Sequence, residues 1–78
     1  MFEELAQILK ENYQIENIEL STDFKKDLDL TSFDFVNIIA LIEDKYGIEI
    51  EEESYRSLNT VQELKEYLEG RIRQRENA

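Results

Sequence analysis

The chain has 78 residues, of which 19 are Asp or Glu and 9 are Lys or Arg, giving a formal net charge of −10. That length allows one domain with one small core, and a hydrophobic share of 41% is enough to pack it, which excludes wholesale disorder. The acidic surplus excludes a phosphate-facing nucleic-acid binder and disfavours anionic membrane surfaces, while the lack of cysteine and histidine removes disulfides, thiolate chemistry and the usual proton shuttle.

With no proline and only Gly47 and Gly70 as glycines, few breakers interrupt the periodic segments, and helices should dominate. At about 100° per residue, Phe2, Leu5, Ala6, Leu9 and Tyr13 share one stripe, which predicts an amphipathic helix over residues 2–14. The same stretch lacks the basic start and apolar middle of a signal peptide, and no apolar run approaches the roughly 20 residues of a spanning helix. A cytoplasmic domain without membrane insertion is expected. Residues 15–30 read as a long loop with turn chemistry at Asn17, Ser21, Thr22 and Asp23, pinned to the core by Ile15, Ile18, Leu20, Phe24 and Leu28. Structureless loops longer than about 12–15 residues are uncommon and usually functional. Whether this one holds a turn of helix stays open.

A second helix is expected over 31–46, with Thr31 and Asp34 at capping-box spacing and Gly47 as its left-handed stop. Ile48 and Ile50 point inward from an extended linker. A short helix over 52–57 follows, anchored by Tyr55 and Leu58. A last helix spans 60–73, opened by Thr60 and Glu63 at the same spacing and buried along Val61, Leu64, Leu68 and Ile72. The polar tail 74–78 should fray, and Arg71, Arg73 and Arg75 suit the negative end of the helix dipole. The expected fold is all-α: a small bundle of three main helices plus one short helix, forming a single domain over 1–78.

The second helix carries most of the functional information. Phe35, Val36, Ile38, Ile39, Ile42 and Tyr46 make its core face. Phe33, Asn37, Ala40 and Asp44 recur at spacings of four, three and four on the opposite side, flanked by Asp34, Leu41 and Lys45. An outward phenylalanine beside acidic groups has the profile of a docking surface, unless it folds back beneath the long loop. Ser32 sits where the free N–H groups and positive dipole end of the helix converge, a position that stabilises a phosphate. On spacing alone it is equally a capping residue. No base lies near enough to make it a nucleophile, since Asp34 two positions on points away. Any chemistry at Ser32 is therefore that of an acceptor modified by another protein.

The stretch Asp27-Leu28-Asp29-Leu30-Thr31-Ser32-Phe33-Asp34-Phe35-Val36 resembles the attachment region of acyl carrier proteins, whose pattern is roughly D-L-G-x-D-S-L-D-x-V. The resemblance continues through Glu43-Asp44-Lys45-Tyr46-Gly47-Ile48-Glu49-Ile50, similar to E-E-x-F-x-x-E-I, and Asn59-Thr60-Val61-Gln62, similar to T-T-V-Q. It implies that Ser32 carries 4′-phosphopantetheine, joined from coenzyme A by a separate Mg²⁺-dependent phosphopantetheinyl transferase. It further implies that the arm holds acyl groups as thioesters and that the chain, as a monomer, presents them to acyl-transferring or synthase enzymes with basic patches. The outward face of the second helix would be the recognition surface, with Phe33, Asp34, Asn37, Ala40, Leu41, Glu43 and Asp44 meeting those partners and the acids raising on-rate. Thr31 stands where the pattern has aspartate, Phe33 where it has leucine, Asp29 where it has glycine, Glu51 where proline is usual and Asn37 where an acid is common. These departures leave room for fatty-acid biosynthesis or for a carrier specialised in a polyketide, glycolipid or aminoacyl group.

Other classes fit less well. Asp27-x-Asp29-x-Thr31 looks like the opening of an EF-hand loop, but Ser32 and Ile38 occupy its glycine and glutamate positions, so no specific metal site is expected. Glu51-Glu52-Glu53 reads as a solvated helix start rather than an acid–base pair. An unmodified acidic interaction module that keeps the fold without the arm is the alternative to a carrier. The core residues around Phe35 to Ile42 either part to admit an acyl chain or pack to native density with no room to spare.

Overall fold

In a computed structural model that describes residues 1–76, the chain forms three α-helices and one short 3₁₀ helix, with no strand among the described residues. Helix α1 (Phe2–Tyr13) opens with Glu3 and Glu4 at its positive end. It stops because Gln14 takes a left-handed φ of 55°, turning the Gln14 and Ile15 amides back onto the Lys10 and Leu9 carbonyls at 3.1 and 3.3 Å. Its buried residues are Leu5, Ile8 and Leu9, while Phe2, Ala6 and Tyr13 are half-buried. The expected stripe is thus rotated toward Ile8. The reason is that residues 15–18 return beside α1 and leave an open groove along Phe2, Ala6, Ile15 and Ile18.

The loop 15–30 contains no helix. Its middle runs antiparallel to the chain entering α3 (Val61–Glu76), with an isolated bridge between Asp23 and Thr60. Phe24 donates its amide to the Asn59 carbonyl at 2.9 Å, and the Val61 and Gln62 amides reach the Thr22 and Leu20 carbonyls at 3.0 and 2.9 Å. The orphan N–H groups at the start of α3 are thereby satisfied by the loop. Phe24 is buried and Ile15, Ile18 and Leu28 are half-buried, but Leu20 is 42% exposed. Leu20 therefore does not pin the loop with its side chain, as expected from its hydrophobicity; its carbonyl does so instead. Beyond Phe24 the chain turns around Asp23, whose Oδ1 accepts the Lys25 and Lys26 amides at 2.9 and 2.8 Å. Those bonds, Lys26 first, hold its carboxyl below the usual aspartate value.

Helix α2 (Ser32–Tyr46) starts at a complete capping box: the Asp34 amide donates to Thr31 Oγ1 at 3.1 Å and the Thr31 amide to Asp34 Oδ2 at 3.2 Å. Gly47 ends it at φ 64°. The following linker is held by Glu43, whose Oε2 accepts the Ile50 amide at 2.7 Å. The 3₁₀ helix (Glu52–Ser57) buries none of its own residues, and Leu58 just beyond it fills the core. At the start of α3, Thr60 and Glu63 exchange hydrogen bonds of 3.0 and 3.1 Å. That helix continues to Glu76 rather than stopping at 73, so residues 74–76 are helical where fraying was expected. Gln, Arg and Glu are good helix formers, and no breaker follows Gly70. The expectation for residues 77–78 lies outside the described residues.

The three α-helices and Phe24 meet around a wholly apolar hollow of only about 10 Å³, lined among others by Leu9, Ile38, Ile42 and Leu64. That is barely room for one water. Val61, Leu64 and Leu68 are buried on α3 as expected, with Ile72 half-buried. On α2, Phe35, Ile38, Ile39 and Ile42 are buried, but Val36 is 47% exposed and does not belong to the core. It lies at the edge of the apolar arc, where the 3₁₀ helix stands off and leaves a cleft. Tyr46 is half-buried, and burial followed by the nearby Glu4 carboxylate pushes its hydroxyl up to about 12.

Candidate functional site

The capping box fixes where Ser32 points. With Thr31 extended at φ −77°, ψ 167°, Ser32 becomes the first helical residue, and its side chain is exposed with no hydrogen bond inside the described chain. The hydroxyl lies at the positive end of a helix of 15 residues. It opens onto a cleft of about 380 Å³ shared with Lys25, Phe35, Val36, Glu52, Tyr55 and Arg56.

The floor of the cleft is aromatic. The Phe35 ring lies 5.3 Å from that of Phe24 and meets Tyr55 edge-on at 6.0 Å, so one side chain of α2 joins the loop to the 3₁₀ helix directly beneath Ser32. Burial, then the Glu43 and Glu52 charges, raise the Tyr55 hydroxyl above its ordinary value. An accessible hydroxyl at a helix N-terminus, beside an open cleft with an apolar floor, is a geometry that accepts an attached phosphodiester with a long amide chain. The residues fit the group.

The other residues singled out from the sequence divide into two sets. Phe33 is 82% exposed, so it does not fold beneath the loop, and Asn37, Ala40 and Asp44 are exposed on the same side of α2. Three others are committed within the fold. Asp34 is half-buried and caps α2 through the Thr31 amide. Glu43 is half-buried on the Ile50 amide. Leu41 packs against the core. Asn37 is intermediate in character: its Nδ2 donates to Tyr13 Oη at 2.9 Å, tying the exposed face to the end of α1. Sequence reasoning missed the cleft residues Lys25, Glu52 and Arg56, which no spacing links. The exception is Val36, whose place at the margin of the apolar arc was a usable signal. Among the described residues no cluster of three acids could hold a metal ion, and no helix is long and apolar enough to cross a membrane.

Comparison with known proteins gives the family of the chain. Residues 3–68 match the family described as "Phosphopantetheine attachment site". The chain is similar to the acyl carrier protein of Lactobacillus johnsonii, 34% identical over 72 residues that cover 90% of each chain. It is also similar to that of Trieres chinensis, 34% identical and covering 88% of this chain and 89% of the relative. The acyl carrier protein of Rhodococcus erythropolis is 38% identical over 68 residues, covering 85% and 75%. With a family match across most of its length and relatives of this identity, the chain belongs to the acyl carrier proteins, which are carriers rather than enzymes and hold 4′-phosphopantetheine covalently.

Proposed function

We infer that Ser32 is the attachment residue and that residues 1–78 work as one carrier unit, a cytoplasmic monomer presenting acyl thioesters to enzymes of fatty-acid or related biosynthesis. The observation that carries this is the exposed Ser32 hydroxyl, set by the Thr31–Asp34 box at the head of α2 and opening on the cleft. In the loading reaction, a separate transferase joins Ser32 Oγ to the phosphorus of coenzyme A that bears the pantetheine. A P–O bond of the pyrophosphate breaks, adenosine 3′,5′-bisphosphate leaves, and the hydroxyl proton passes to a base of the transferase. The attached group supplies a thiol that holds acyl cargo as a thioester. The chain's own contribution is to orient the hydroxyl outward and to offer the positive helix end to the phosphate.

Phe33, Asn37, Ala40 and Asp44 form the face that meets partner enzymes, and Asp44, with the acidic surplus behind it, favours partners with basic patches. A more specialised cargo is favoured by Phe33, which replaces the usual leucine and stands almost wholly in solvent. The deciding experiment is incubation with coenzyme A and each of several transferases, followed by mass measurement. One phosphopantetheine should be added to the wild type and none to Ser32→Ala, whose helical spectrum and stability stay unchanged because the side chain supports nothing in the fold. Modification of Ser32→Ala would show the site to be elsewhere. A wild type that stays bare with every transferase would leave the unmodified interaction module as the better reading.

A further inference from the structure

The cleft beside Ser32 has a charge out of keeping with the rest of the molecule. The chain has 19 acids and 9 bases, yet the cleft is lined by two cations, Lys25 and Arg56, and one acid, Glu52. Lys25 comes from the long loop and Arg56 from the 3₁₀ helix, so they reach the same opening from opposite sides. Among the described residues neither makes a salt bridge, and Lys65, which pairs with Glu69 at 3.2 Å, is the only lysine or arginine that does. In so acidic a chain, two cations against a single acid in the lining of one opening set this cleft apart. Between them lie Val36, which is 47% exposed, and the Tyr55 ring, whose edge meets Phe35. These offer an apolar wall ending in a hydroxyl.

Resting on the assignment of Ser32 as the attachment residue, we propose that Lys25 and Arg56 form an anion seat for the phosphodiester on Ser32, and that Val36 and Tyr55 form the wall along which the pantetheine chain lies when no partner is engaged. A phosphodiester carries a single negative charge with two free oxygens, and the two cations neutralise it from two directions at the mouth of the cleft, where Glu52 opposes them and Glu53 shares the adjoining hollow with Arg56. The apolar dimethyl segment that follows the phosphate then meets Val36, and the amides beyond it meet the Tyr55 hydroxyl. The arm of the unengaged carrier is docked rather than free. A partner must compete with the seat to extract it, and salt loosens the seat.

The test compares wild type with the double variant Lys25→Gln/Arg56→Gln, both side chains being exposed and outside the fold's own hydrogen bonds. Each is loaded from coenzyme A and weighed, then studied by proton NMR and thermal melting in apo and loaded forms. In loaded wild type, the geminal methyls of the arm should show contacts with the Val36 methyls and the Tyr55 ring that fade in 1 M salt, and loading should raise the melting midpoint by several degrees. The double variant should gain the same mass and keep the same helical spectrum, but lose both the contacts and the rise. Contacts of equal strength in both proteins overturn the seat, as does a loaded wild type with no contacts, and in either case Ser32 stands as the attachment residue. A double variant that loads more slowly yet docks its arm normally assigns the cations to the transferase encounter and overturns the seat as well. A wild type that gains no mass overturns the Ser32 assignment and the seat with it.

Discussion

Asp34, Glu43 and Asp44 carry the same charge on the same helix, but only Asp44 is fully exposed with its carboxylate outside the fold's hydrogen bonds. Glu43 holds the Ile50 amide at 2.7 Å in a half-buried setting, and removing it strands that amide. Glu43→Ala should therefore cost about 1–3 kcal/mol of stability, read from urea unfolding, and most of its effect on partner binding should disappear under conditions where the variant is fully folded. Phe33→Ala should behave in the opposite way. With 82% of its surface already in water, stability should stay within about 0.5 kcal/mol, while binding to a partner enzyme weakens by about 1 kcal/mol or more, as expected for an aromatic anchor. Unchanged binding by a folded Phe33→Ala would remove Phe33 from the interface. Charge at helical spacing therefore marks candidates for recognition, and only the hydrogen-bond partner shows which of them the fold has already claimed.

At the level of elements, the loop 15–30 and the head of α3 behave as one piece, since loop carbonyls satisfy the first amides of α3. The loop makes its last turn at Asp29, whose φ of 54° is left-handed, at the position where the family pattern has glycine. Asp29→Gly should raise the melting midpoint, whereas Asp29→Val should cost about 1–2 kcal/mol through the clash of a branched side chain in that conformation. A destabilised Asp29→Gly would mean that the aspartate side chain supports the turn. The helices themselves were largely legible in the sequence, because Thr31 with Asp34, Gly47, and Thr60 with Glu63 are local signals acting within one turn of chain. What was not legible depends on neighbours far away in sequence. Leu20 is turned outward because its carbonyl is needed by Gln62. Val36 is left half in water because the 3₁₀ helix stands off from α2, and Ile8 is buried because the returning loop leaves the Phe2 side of α1 open. The site followed the same division: Ser32 and its cap could be read from spacing, whereas a cleft assembled from residues 25, 36, 52, 55 and 56 could not.

At the scale of the whole molecule, the net charge of −10 sets the response to solution conditions. Self-repulsion makes added salt or Mg²⁺ stabilising, so the melting midpoint should climb through a salt titration; a fall would show that specific ion pairs outweigh net charge. Alkali acts through Tyr55 and, most of all, through Tyr46. Its hydroxyl is raised from 10.0 to about 12 in the folded protein, so its contribution is complete below the unfolded value and is lost as pH climbs from 10 toward 12. Stability should decline across that window, and Tyr46→Phe should flatten the decline. The nearly complete filling of the interior fixes how a load would announce itself. A hollow of about 10 Å³ has no vacancy for even a short hydrocarbon tail, so a tail that goes inside must push the bundle outward from its Cα radius of gyration of 11.9 Å, while one that stays outside leaves the girth as it was. Small-angle scattering along a ladder of tail lengths would then weigh the freight by the swelling of its container.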